Sequence, residues 1–348
     1  MNAIEIKEQI QNTLHSFSGN ALAESATKLL NVLGYTSDKT LRLSPNSSET
    51  FIATFASGEK FDRAKALTHQ WGSVDVLFQI TGEEIRSAGG QDILVFETSG
   101  TFNNKQIESY LFLAIELTGD RYTRTQLADI TREVNRLFAM PAMIFFRHGD
   151  TLTLSVIDRR LHKQDKSRDV LRKVTLIKDI RLQNTHRAHI EILFDLSLNH
   201  LYHGHRFANF VELHDAWRTT LDSSELNRKF YKELADWYFW ALHQVKFPKQ
   251  KGVEDDVSRA TSVIRLITRL IFTWFIKERG LVPEELFNEK HITELLKDVS
   301  PKESTYYKAI LQNLFFATLN TEMKHPRKFR GKNVSGGRDQ HHCIHNVY

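Results

Sequence analysis

The sequence predicts an α/β domain built on a mixed sheet, followed by an all-helical domain. Three observations carry this reading. Short β-branched and aromatic runs crowd residues 49–157, an amphipathic helix interrupts them at 123–138, and beyond about residue 205 only helical periodicity is left. The chain has 348 residues, of which 41% are hydrophobic and 26% charged, enough apolar material for about two buried cores.

Residues 1–45 read as N-terminal helices. Ile4, Ile6, Ile10 and Leu14 recur at near-helical spacing, and ALAESATKLLNVLGY closes on Gly34 as a C-cap. The polar stretch TSDKTLRLSPNSSE, with Pro45 and Asn46, breaks this pattern and opens an α/β domain over 46–200. Its predicted strands are ETFIATFA (49–56), SVDVLFQIT (73–81), DILVFET (92–98), YLFLAIELT (110–118), AMIFFR (142–147) and TLTLSVI (151–157). Between the fourth and fifth, Leu127, Ile130, Val134 and Leu137 stand at i, i+3, i+7 and i+10, one face of a helix. That helix packs on the sheet, and 110–118 pairs with 142–147.

A helical domain follows over 205–320. Asp222 or Ser223 caps one helix, and Gly280 with Pro283 ends the next. In the latter Ile264, Ile267, Leu270, Ile271, Trp274 and Phe275 form a wide apolar face, which predicts one continuous buried helix over 258–279. Arg265 and Arg269 interrupt the apolar run, so it is no membrane span. The opening NAIEIKEQIQ lacks the apolar core of a secretory signal, and the expected location is cytoplasmic. Cys343 is the single cysteine, which excludes a disulfide framework and a multi-thiolate zinc site.

Charge is concentrated in two places. The net charge is +5, yet residues 158–181 alone carry nine Lys/Arg against four Asp. The basic tail 321–348 adds a comparable excess. In the first cluster Arg159, Arg160, Lys163, Arg172, Lys173 and Lys178 are candidates for DNA-backbone contact, since guanidinium forks and ammonium groups neutralise phosphates. A salt-bridged face, with Asp158, Asp165, Asp169 and Asp179 as partners, is the other reading of the same run.

Several motifs are missing. No two prolines are adjacent, so there is no Asn-Pro-Pro-Tyr/Phe site, and there is no Gly-x-Gly, GK[ST], GxSxG or HExxH. The chain therefore carries no recognisable site for S-adenosylmethionine or a nucleotide. One hydrolytic pattern remains. Asp75 and Glu116 on neighbouring predicted strands have the residue types of a Mg²⁺-dependent PD-(D/E)xK nuclease, although Thr118 replaces its Lys. Glu84-Ile85-Arg86 offers a second ExR. Edge carboxylates without catalytic work explain the same residues. The histidine clusters HLYHGH (200–205) and HHCIH (341–345) read as structural or solvent-exposed rather than as zinc ligands.

Six strings recur in a familiar order: YTRTQLADITREVNRLFAMPAMIFFRHG (122–149), RRLHK (159–163), DVLRKVTLIKDI (169–180), THRAHIEIL (185–193), ELNRKFYKEL (225–234) and RLITRLIFTWFIKERGLVP (265–283). Together they resemble the N-terminal part of the large single-chain DNA adenine methyltransferases of type IIG-like bacterial restriction-modification systems, relatives of the phage-defence methylases. The resemblance implies adenine-N6 methylation of duplex DNA with S-adenosylmethionine. It also implies that this chain is truncated before the methylase motifs, either as an incomplete product of the gene or as half of a split gene whose other portion is separately encoded. No catalytic residue carries over. A free-standing Mg²⁺-dependent endonuclease and a non-catalytic DNA-binding or assembly module are the alternative expectations.

Overall fold

Five strands form one mixed sheet: β1 (Trp71–Thr81), β2 (Ser109–Leu117), β3 (Ala142–His148), β4 (Thr151–Leu161) and β5 (Asp169–Arg181), lying side by side in chain order. This is a computed structural model, and it describes residues 2–56, 61–84, 102–103, 108–161, 169–247, 252, 254–296, 299 and 305–320. Neighbouring strands are antiparallel except β2 and β3, which run parallel from Leu111↔Ala142 to Glu116↔Arg147. A parallel step needs a crossover.

The helices preceding that step are α1 (Ala3–Ser16), α2 (Leu22–Val32) and α3 (Ser48–Phe55), and the crossover itself is α4 (Arg124–Arg136). A reciprocal cap starts α4: the Thr123 side chain accepts from the Gln126 amide, and the Gln126 side chain accepts from the Thr123 amide. Three helices follow the sheet: α5 (Arg187–Asp195), α6 (Leu198–His205) and α7 (Phe210–Thr220). The expected helix and the expected pairing of 110–118 with 142–147 are both present.

Both faces of the sheet are covered, which explains the unbroken apolar run in β2. On one face Phe78, Phe112, Phe145 and Leu154 pack with Leu14, Leu29 and Leu30 of the first two helices and with Leu193 and Trp217 of the later ones. On the other, Val74, Leu113 and Ile144 pack with Phe51 and Phe55 of α3 and with Leu127, Ile130 and Val134 of α4. Gly34 ends α2 at φ +89°, the left-handed position its C-cap role requires.

Two expectations need correction here. Residues 49–56 are not a strand: Ser47 caps a helix by accepting from the Thr50 amide, and Phe51, Ile52 and Phe55 share its buried face. Five residues of apolar and β-branched type fit either period, and the cap decided it. Conversely, 169–181 is a full strand, hidden in the sequence by its charges. The predicted strand 92–98 lies outside the described residues.

By contact the chain divides into two units, Met1–Arg228 and Lys229–Tyr348, with the division inside α8 (Ser223–Gln244). The second unit holds the rest of α8, then α9 (Asp255–Glu278), α10 (Glu289–Leu295) and π-helical turns over Tyr307–Leu311 and Asn313–Leu319. Ala241 of α8 packs on Val263 and Ile267 of α9, and Ile276 packs on Val282, Leu311, Leu314 and Phe315. Helix α9 is continuous, as expected, but its burial is not. Ile267 and Ile276 are covered, whereas Ile264, Ile271, Trp274 and Phe275 are exposed, because the apolar face is wider than its two neighbours. Among the described residues, no helix is long and apolar enough to cross a membrane.

Candidate nucleic-acid interface

Strand β4 is longer than its inner partner. It pairs with β3 only from Thr151 to Ser155, whereas its pairing with β5 continues through Val156↔Thr175 and Ile157↔Val174 to Leu161↔Asp169. Beyond Ser155 the two strands form a ribbon of about 20 Å, at roughly 3.4 Å per residue. Ala128 of α4 braces its base against Ile157 and Val174. Of the nine Lys/Arg in residues 158–181, Arg159, Arg160, Arg172, Lys173, Lys178 and Arg181 lie on this strand pair, and the other three fall outside the described residues.

The register assigns each candidate a position. Arg159 pairs with Leu171 and Arg160 with Val170. A bulge between Ile157 and Arg159 sets Arg172 and Lys173 together against Asp158. Such a bulge raises local twist and re-aims the side chains that follow it. Lys173 is exposed. Lys163 lies outside the described residues.

Lys178 lies nearer the sheet. A second bulge sets Lys178 and Asp179 against Thr153, with Asp179 at φ +60°. Its ammonium lies 2.7 Å from both oxygens of Asp179. That is the partner expected of a salt-bridged face; the side chains of Arg159, Arg160 and Arg172 lie outside the described ones.

The two nuclease-like carboxylates do come close. Ser73 pairs with Glu116 and Asp75 with Ala114, which puts Asp75 and Glu116 diagonally on one face of adjoining strands. Their partners leave little for a metal. Arg147, opposite Glu116 on β3, donates from Nε to both carboxylate oxygens at 3.0 and 2.8 Å. Asn46 Nδ2 donates to both oxygens of Asp75 at 3.1 and 3.2 Å. A guanidinium thus holds the position where a cation would be bound, and no lysine follows at Thr118. The residues do not fit a Mg²⁺ site. Burial raises the Glu116 carboxyl above its ordinary range, and the Arg147 charge opposes that push.

Glu84, the alternative ExR glutamate, is a core residue. It accepts from the Thr81 amide and hydroxyl, from Ser37 Oγ at 2.7 Å, and from Lys39 Nζ at 3.1 Å. Of HLYHGH, His200 lies 3.4 Å from Asp195. Among the described residues, no group of three or more His, Cys, Asp or Glu could hold a metal ion. The tail cluster HHCIH lies outside them.

Sequence reasoning missed two structural side chains. Arg147 is the partner of Glu116, and only the parallel register reveals it. Lys39, in the polar stretch that breaks the helical pattern, is buried beside Glu84; a lone lysine in such a segment carries no signal. No family model, no curated protein and no solved structure matches the chain.

Proposed function

We propose that this chain is the DNA-contacting N-terminal portion of a site-specific adenine-N6 DNA methyltransferase of the type IIG-like restriction-modification class. One observation carries the contact: Arg159, Arg160, Arg172 and Lys173 belong to a two-stranded ribbon whose outer half, among the described residues, no third strand flanks. A duplex groove admits a two-stranded ribbon, and arginine and lysine along its sides meet phosphates. Arg159, Arg160, Lys163, Arg172 and Lys173 hold the backbone and read no bases. The six ordered strings support the methyltransferase assignment.

The chain's own work is positioning. Flipping the target adenine and transferring a methyl group from S-adenosylmethionine fall to a methylase region bearing the Asn-Pro-Pro-Tyr/Phe site, which residues 1–348 do not contain. A nuclease is not proposed, because Arg147 engages both oxygens of Glu116.

Binding of a duplex to the purified chain, titrated at several salt concentrations, tests the contact. Affinity falling steeply with salt for every sequence supports it; no binding at low salt overturns it. Adding the product of the adjacent downstream reading frame tests the assignment. Labelled methyl transfer to adenine that requires both chains supports it, and transfer by the partner alone at an undiminished rate overturns it.

A further inference from the structure

Helix α9 carries a second pattern that packing among the described residues of its own unit leaves exposed. Val257, Thr261, Ile264, Thr268, Ile271 and Phe275 alternate at spacings of four, three, four, three and four, the 3.5-residue repeat of a coiled-coil seam. Val257 is 54% exposed, Ile264 53%, Ile271 45% and Phe275 56%. Isolated exposed apolar residues are ordinary on a protein surface, whereas a contiguous stripe over five turns marks a contact. The Thr268 hydroxyl already donates to the Ile264 carbonyl at 2.9 Å, so only its methyl is left for a partner.

We infer that this seam pairs antiparallel with the same seam of a second copy of the chain. Bulk and charge select that partner. In antiparallel register Val257 of one copy meets Phe275 of the other, Thr261 meets Ile271, and Ile264 meets Thr268. Each contact sets a smaller residue against a larger one, and all six seam residues are used in both copies, as a two-fold interface requires. Parallel pairing would set Phe275 on Phe275 and Thr261 on Thr261.

The ends agree. Glu254, Asp255 and Asp256 open the helix, and Arg279 follows its last turn with its guanidinium 5.3 Å from the Phe275 ring. An antiparallel partner brings this acidic first turn, in which Asp256 is paired with Arg259, to the cation and opposes the two helix dipoles. A parallel partner would bring acid to acid.

Sedimentation of the full chain at rising concentration tests the pairing. The mass should double, and Ile264→Glu with Ile271→Glu should return a monomer that still unfolds cooperatively at a temperature independent of concentration, because both positions are exposed in the single chain. A wild type that stays monomeric, or a dimer that survives the double substitution, overturns the inference.

Orientation is tested in a Cys343→Ser background. Val257→Cys mixed with Phe275→Cys should form a disulfide on oxidation. Val257→Cys alone should not, since in antiparallel register the two copies of residue 257 stand about 27 Å apart at 1.5 Å per residue. Self-crosslinking of Val257→Cys overturns the antiparallel arrangement.

Discussion

Arg147 holds Glu116 and the end of α1 at the same time. Its Nε donates to both oxygens of Glu116, while Nη1 donates to the carbonyls of Phe17 at 2.7 Å and Asn20 at 2.8 Å. One side chain thereby ties β2, β3 and the turn between the first two helices. Arg147→Met should cost about 2 kcal/mol, because a half-buried carboxylate and two carbonyls lose their donor together. Glu116→Gln in the same background should recover part of it, a coupling that urea melts of the four variants would measure. The pH dependence has a definite sign. Without Arg147 the upward push of burial on Glu116 is unopposed, so its stabilising share is present below the ordinary value of 4.5 and lost as pH rises through the raised value. The deficit of Arg147→Met should therefore grow from acid to neutral pH.

The same pair bears on hydrolysis. With Glu116 engaged by a guanidinium and Thr118 in place of a lysine, plasmid incubated with the chain and Mg²⁺ should stay supercoiled. Nicking that disappears in Asp75→Ala would reverse that conclusion.

A buried ion pair fixes the far end of β1. Lys39 and Glu84 are 8% and 1% exposed at the side chain. Replacing either partner alone, by Lys39→Met or Glu84→Gln, should cost about 3 kcal/mol by leaving the other short of its partner. The double variant should lose less than the sum, and chemical denaturation of all three would show it.

His148 gives the fold a mild acid sensitivity. Its ring is buried beside the Asp120 carbonyl, with Nδ1 at 3.1 Å, and against Tyr122. Burial holds it below the ordinary 6.5, so the folded state prefers the neutral ring. A lowered value means stability is full above 6.5 and falls as pH drops through the folded value. Melting temperatures of wild type should decline over that window more steeply than those of His148→Gln; parallel curves would remove the histidine from the account.

Much of the fold was legible because its signals were local. Leu127, Ile130 and Val134 announced α4, and the apolar runs around Phe112 and Ile144 announced two central strands. What was illegible depended on distant partners or mixed periods. FIATF at 51–55 suits helix or strand, and Ser47 as its cap was the unread clue. In β5, Val174 and Leu176 face one side and Ile177 and Ile180 the other, since the bulge at Lys178 and Asp179 breaks the alternation. Asp75 and Glu116 were read as acids of the right type on adjoining strands, and they are. Their engagement by Asn46 and Arg147, 29 and 31 residues away, arises from tertiary register and leaves no trace in spacing.

The ribbon makes the sharpest separation between the two meanings of the basic run. Each phosphate neutralised adds about 0.9 to the slope of log affinity against log salt. Replacing Arg159, Arg160 and Lys163 by glutamine should flatten that slope by about 2 to 3, equally for every duplex sequence, because backbone contacts carry no base information. Lys178→Gln supplies the internal comparison. Its ammonium is already committed to Asp179, so this variant should leave the slope unchanged and lower the melting temperature slightly. A flattened slope in both variants would mean that the whole strand, paired lysine included, lies along the duplex. An unchanged slope in the triple variant, with stability lost, would make the ribbon a salt-bridged brace and leave the DNA contact to another part of the chain.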